Sequence, residues 1–348
     1  MKKHYFLIAA ALLSAALMSS CRKDAVATAP EDSASTLEVS VCGIEKPSTK
    51  ADLQSADEAS LSSFEVFIYM STDKTTPYIR KTISGTSGTI SLPQGKTYTV
   101  YALANMTNLS DVTSESSLTS KNIPYGDNSR TSFAMSAAPQ TVTLNGNKSL
   151  TFQMERLCSK VLISGNIQLD FSENPYLAAK TSSIKSVFLT QVPASCSAIT
   201  ATPSSTYVMT GNPAGSTGLV SGSPEISFCN NQSGVSPWGQ LTLYGYPNTA
   251  TEASSRSGID KVTKVAVCVN IGGEFHYYTI GIPNMARNTI YTISDIRITR
   301  EGASTPESYV PDKATLTCTI KVKDWVPGAI TGSYNEFETG GSVVFRRQ

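Results

Sequence analysis

The chain has 348 residues with 28 basic and 27 acidic side chains, and this near-balance excludes a nucleic-acid binder, which needs a basic face. Serine and threonine number 48 and 39, a quarter of the residues, which suits a β-rich exported or surface protein with hydroxyls on its wet strands. Hydrophobic residues at 40% supply a real core, and the length fits two domains.

Lys2 and Lys3 precede an apolar run over 6–18, the length of a signal peptide and too short to span a bilayer. Residues 1–20 therefore read as a signal peptide. The run ends in Met18-Ser19-Ser20-Cys21, which resembles a bacterial lipobox with Met where Leu is usual. Acyl chains on Cys21, palmitate among them, would hold a precursor at a membrane surface through their buried methylenes. Residues 22–35 are small and polar, without periodicity.

Leu37, Val39 and Val41 then alternate with polar neighbours, a short strand signature. Pro47-Ser48-Thr49-Lys50-Ala51-Asp52 follows as an accessible loop. A strand over 64–70 places Phe64, Val66, Ile68 and Met70 on one face. Two hairpins are expected next. One joins 89–92 to 97–103 across Pro93-Gln94-Gly95-Lys96, and the other joins Val142 and Leu144 to Leu150, Phe152 and Met154 across Asn145-Gly146. Between them, 105–137 is polar and irregular, with room for a short helix or a long loop.

A second series of strands covers 160–167, 186–191, 241–246, 262–271, 275–282, 290–299 and 314–325. Alternation at Val265, Val267, Val269 and Ile271, and at Leu316, Cys318, Ile320 and Val322, buries one face of each strand and leaves the other wet. Residues 194–237 are rich in Ser, Gly, Pro and Asn and read as long loops. The expected architecture is all-β: two antiparallel β-sandwich domains in tandem, joined near 154–159.

Chemistry is sparse. With only His4 and His276, and His276 in a strand pattern, no histidine-based triad or His-rich metal site can be assembled. Beyond Cys21, six cysteines remain (Cys42, Cys158, Cys196, Cys229, Cys268 and Cys318), none in a CxxC pair, and they imply no particular pairing. No carboxylate spacing or phosphate-binding glycine loop marks an enzyme. Thus no catalytic residue, metal site or cofactor is expected. The competing reading is a surface lipoprotein that binds glycans or host ligands as an adhesin, stacking sugars on Trp238, Tyr207 or Tyr246.

Four segments, in order, resemble the fimbrillins, the Mfa-like and FimA-like subunits of type V pili from Bacteroidales. They are Gly95-Lys96-Thr97-Tyr98-Thr99-Val100-Tyr101-Ala102-Leu103-Ala104-Asn105-Met106, then Met154-Glu155-Arg156-Leu157-Cys158-Ser159-Lys160-Val161. The others are Ala286-Arg287-Asn288-Thr289-Ile290-Tyr291-Thr292-Ile293 and Thr319-Ile320-Lys321-Val322-Lys323-Asp324-Trp325. The resemblance implies transthyretin-like sandwiches at 51–157 and 158–325, behind a lipid-tethered propeptide at 21–50. It also implies cleavage by a trypsin-like maturation protease, which maps to the Lys50–Ala51 bond; many relatives carry Arg at that place. Cutting there would release the strand around Leu37, Val39 and Val41 from a groove that another pilus subunit fills by β-strand addition.

The donor would come from the tail 326–348, whose apolar candidates are Ile330, Tyr334, Phe337, Val343 and Phe345. The implied location is the outer membrane for the precursor and a fimbrium at the cell surface for the mature subunit. Residues 1–50 carry six basic and five acidic groups, so the 298 residues from 51 to 348 would hold 22 of each sign, a neutral unit with little self-repulsion.

Overall fold

A computed structural model describes residues 34–43, 58, 60–61, 63–129, 131–211, 220–221, 241–250, 262–306, 316–324 and 337–340. The first half contributes β1 (Ala34–Cys42), β2 (Ser63–Met70), β3 (Ile79–Ser84), β4 (Ser87–Pro93), β5 (Thr97–Ala104), β6 (Asn122–Pro124), β7 (Met135–Ser136), β8 (Gln140–Thr143), β9 (Lys148–Gln153) and β10 (Glu155–Arg156). The second half contributes β11 (Ser159–Ile163), β12 (Gln168–Leu169), β13 (Ser182–Pro193), β14 (Ser195–Ser197), β15 (Tyr207–Gly211) and β16 (Val220–Ser221). It continues with β17 (Leu241–Gly245), β18 (Thr263–Ile271), β19 (Glu274–Ile282), β20 (Thr289–Ile298), β21 (Leu316–Asp324) and β22 (Phe337–Gly340). The α-helices are one-turn pieces, α1 (Glu115–Thr119) and α2 (Pro175–Ala178), so the chain is all-β as expected. Among the described residues, no helix is long and apolar enough to cross a membrane.

The first half builds a three-stranded sheet, β4-β1-β9, and a six-stranded sheet, β10-β7-β5-β2-β3 with β8 beside β5. The second half builds another six-stranded sheet, β17-β11-β20-β21-β22 with β12 beside β20, and a five-stranded sheet, β16-β15-β13-β18-β19. Most pairings are antiparallel, but β1 runs parallel to β9, and β11 and β12 run parallel to β20. The alternating residues do what their period dictates. Leu37, Val39, Ile90, Leu92 and Phe152 are buried on the inner face of the three-stranded sheet, while Glu38, Ser87, Thr89, Ser91 and Thr151 face water.

Both expected hairpins are absent. β4 pairs with β1, whereas β5 pairs with β2, and β8 pairs with β5 while β9 pairs with β1. The turns at 93–97 and 144–148 are corners at which the chain leaves one sheet for the other. They are tied to each other: the Gly95 amide donates to the Leu144 carbonyl at 2.8 Å, and the Leu144 amide donates to the Lys96 carbonyl at 3.0 Å. Gly95 (φ 75°) and Gly146 (φ 139°) supply the backbone angles such sharp corners need. The glycines signal a turn; only the location of the apolar partners decides what the turn connects. The true two-residue hairpin is β18–β19, across Gly272 and Gly273, both at positive φ.

Residues 105–137, unreadable by periodicity, bury Leu109, Val112, Leu118, Ile123, Tyr125, Phe133 and Met135. They also join the two halves. β6 pairs with β14 in a small sheet of its own, and the Tyr125 hydroxyl donates to the Tyr244 carbonyl at 2.7 Å.

Candidate functional site

The structure gives the first strand a central place. β1 lies between β4 and β9, with seven residue pairs on the antiparallel side and six on the parallel side. Leu37 and Val39 are fully buried and Val41 is 7% exposed. Each such side chain is worth about 1.5–3 kcal/mol of burial. Side chains on the wet face add polar contacts to β9: Ser149 Oγ donates to Glu38 at 3.0 Å, and the Ser40 and Thr151 hydroxyls meet at 2.9 Å. Gly43 ends the strand at φ 85°, where a Cβ would stand 2.0 Å from the Gln153 amide nitrogen.

Taking β1 away would leave β4 and β9 as two facing edges about 10 Å apart, twice the strand spacing, over an apolar floor. What replaces it must offer main-chain groups to both edges and apolar residues at every second position.

Of the other expected site residues, Cys21, Lys50, Ala51, Ile330, Tyr334, Val343 and Phe345 lie outside the described residues, as does Trp238. Phe337 opens β22, which pairs with β21 in register Ile320↔Phe337. Tyr207 is half-buried in β15. Tyr246, considered for sugar stacking, is fully buried: its ring packs edge-on to Tyr125 and its hydroxyl donates to the Pro124 carbonyl. A ring so enclosed presents no face to a sugar, and that expectation is corrected.

A second constellation, missed in the sequence, fills the junction of the two halves. Glu58 is 1% exposed and accepts from the Lys160 ammonium at 2.9 and 3.0 Å and from the Tyr244 hydroxyl at 2.5 Å. The Arg156 guanidinium, 1% exposed, donates to the Glu58 carbonyl at 2.9 and 3.1 Å. Burial lowers its pKa to about 10, against the pull of the Glu58 carboxylate. Arg287 gathers four carbonyls, those of Glu155 (2.7 Å), Ser136 (3.0 Å), Ile199 (3.2 Å) and Arg156 (3.3 Å). Asn288, at φ 51°, turns its side chain toward the Arg156 amide and guanidinium.

Arg287 and Asn288, polar neighbours that could close an ordinary turn, instead form a half-buried clamp. The signal that could have found it was its place in one of the four family-like segments, together with Arg156 and Lys160 in another. Glu58 sits in no such segment and gave no signal.

No family model and no curated protein matches the sequence. Solved structures do. A candidate cell adhesion protein from Bacteroides eggerthii superimposes with a TM-score of 0.60 at 15% identity, over 84% of this chain and 96% of that one. The fold is that of the fimbrillins. A fimbrilin, FimA, from Porphyromonas gingivalis matches with a TM-score of 0.58 at 12% identity, over 84% of this chain and 98% of its own. A candidate cell adhesion protein from Parabacteroides distasonis gives 0.56 at 16% identity, over 85% and 98% of the two chains. Identities this low carry the fimbrillin fold and no more. Against that fold, the central β1 and the clamped junction are features of this chain's own residues.

Proposed function

We propose that this protein is a structural or adhesive subunit of a cell-surface fimbria, assembled by strand exchange. The precursor is exported and lipid-anchored to the outer membrane through Cys21. A trypsin-like protease cuts between Lys50 and Ala51, β1 leaves, and the β4–β9 groove of the 51–157 sandwich accepts a strand from the 326–348 tail of another subunit. The observation that carries this reading is the place of β1: a central strand, buried through Leu37, Val39 and Val41 and paired on both edges, that precedes Lys50 in the sequence.

Before the cut, β1 is tethered and its effective concentration at the groove is high; after it, β1 is a separate peptide that any strand with a local advantage displaces. Bare edges over an apolar floor are unstable as a free surface, which favours filling by a partner over a persistent open state. The solved structures with this fold include a fimbrilin and candidate cell adhesion proteins, in keeping with a fimbrial role.

The test treats purified precursor with trypsin and reads the new N-terminus together with unheated gel mobility. The expected result is an N-terminus at Ala51 and a ladder of oligomers, both abolished by Lys50→Ala. Deletion of 326–348 should leave cleavage intact and stop the ladder. Normal processing of Lys50→Ala, or ladders persisting without the tail, would refute the assigned bond or donor respectively.

A further inference from the structure

We propose that Glu274, His276 and Glu301 form a binding site for a divalent transition cation of the Zn²⁺ class beside β19, the last strand of the five-stranded sheet. One ligand atom from each of the three residues lies within 4.8 Å of the others. Two exposed glutamates near a histidine would not by themselves make a site. The deciding feature is His276: it is 7% exposed, and its Nε2 is buried with no hydrogen-bond partner. A buried ring nitrogen left unsatisfied costs free energy unless something fills the position in front of it.

Nε2 lies 3.6 Å from Glu301 Oε1, too far for a hydrogen bond. It is close to the separation a cation imposes, because ligands about 2.0–2.1 Å from a tetrahedral ion stand about 3.4 Å apart. An imidazole with carboxylates suits Zn²⁺ and its neighbours, whereas Ca²⁺ and Mg²⁺ prefer all-oxygen sites.

The backbone is arranged to present these groups. Glu274 and His276 are two residues apart on β19, so they share a face, and they open a row that continues into the core through Tyr278 and Ile280. Glu301 comes from the segment after β20, which is strapped along β19 by the reciprocal Tyr277–Ala303 amide bonds of 2.8 and 3.0 Å. The Tyr278 hydroxyl adds a bond to the Arg300 carbonyl at 2.8 Å. Gly302 permits the close approach, since a Cβ there would meet the Tyr277 carbonyl at 2.7 Å. Lys180 offsets part of the carboxylate charge from one side, with its ammonium 4.1 Å over the Tyr176 ring.

A bound ion would pin the strap to the last strand of this sheet. Three protein ligands leave a position for water or for a ligand atom from a neighbouring molecule. The expectation from sequence that one histidine cannot support a metal site holds for His-rich sites, and two carboxylates here supply what further histidines would.

The test titrates the EDTA-treated full chain with Zn²⁺ by calorimetry, beside His276→Gln and Glu301→Gln. Wild type should bind one equivalent and melt at a higher temperature with the ion, and each variant should bind at least ~10-fold more weakly. Glu301 is about half exposed, with 51% of its side chain accessible, so Glu301→Gln remains informative if the buried variant folds poorly. Nitrogen NMR of the chain, which has only two imidazoles, should show the Nε2 resonance of His276 moving on Zn²⁺ addition. Unchanged affinity in Glu301→Gln, no binding by wild type at millimolar Zn²⁺, or a Co²⁺ spectrum dominated by thiolate charge transfer would overturn the proposal.

Discussion

The Lys160 ammonium sits 2.9 Å from the Glu58 carboxylate, and the two side chains are 5% and 1% exposed. Neither charge is open to water, and the Glu58 carboxylate also accepts from the Tyr244 hydroxyl. Removing one partner takes the opposite charge away from a buried ion. Lys160→Met is expected to cost about 3–5 kcal/mol in urea unfolding, and Glu58→Gln a similar amount. The double variant should cost clearly less than their sum, because the Lys160–Glu58 attraction can be lost only once. Strict additivity in that cycle would show that the pair is not coupled.

Arg287 is predicted to resist its conservative replacement. A planar guanidinium reaches four carbonyls at once, and an ammonium cannot match that fan of directions. Arg287→Lys should lose about 1–3 kcal/mol through carbonyls left unsatisfied in a buried junction. Equal thermal stability of Arg287→Lys and wild type would contradict the clamp.

The two faces of β1 should respond oppositely to truncation. Leu37→Ala, at a fully buried position, is expected to destabilise the uncleaved precursor by about 2–5 kcal/mol. Glu38→Ala, on the wet face, should stay within about 0.5 kcal/mol. Denaturant midpoints of the two variants decide this, and similar losses in both would remove the inside–outside distinction.

Thiol chemistry should follow burial. Burial pushes the Cys196 thiol up to about 12, with Arg287 pulling it down, and burial likewise raises Cys158 well above its ordinary value. Because the folded value exceeds the unfolded one near 9, the stabilising contribution is whole below pH 9 and declines as pH rises toward about 12. Native-state alkylation at pH 8 with site mapping should modify half-exposed Cys42 and spare Cys158 and Cys196. Rapid labelling of Cys196 in the folded chain would argue that the junction opens readily.

Legibility in the sequence tracked periodicity. Leu37, Val39 and Val41, or Val265 to Ile271 at every second position, announce strands because a half-buried sheet enforces a period of two. The corners at Gly95 and Gly146 were readable as turns, yet their strands belong to different sheets. A turn residue fixes local backbone angles and says nothing about which strand lies alongside. The buried ions were illegible for a related reason. Glu58, Arg156 and Arg287 carry no periodic signature, and a charged residue in a polar stretch defaults to solvent.

The sequence by itself determined an all-β chain and the elements of a fimbrillin-like fold. Those properties are written in local alternation and in short segments of neighbouring residues. Tertiary structure alone decided that β1 is central rather than marginal, that two turns are corners, and that Glu58 meets Lys160 across 102 positions of chain. It also decided that His276 faces two glutamates, one of them from another segment. Each of these is a contact between residues far apart in sequence, set by how the sheets pack and which side chains they seal from water.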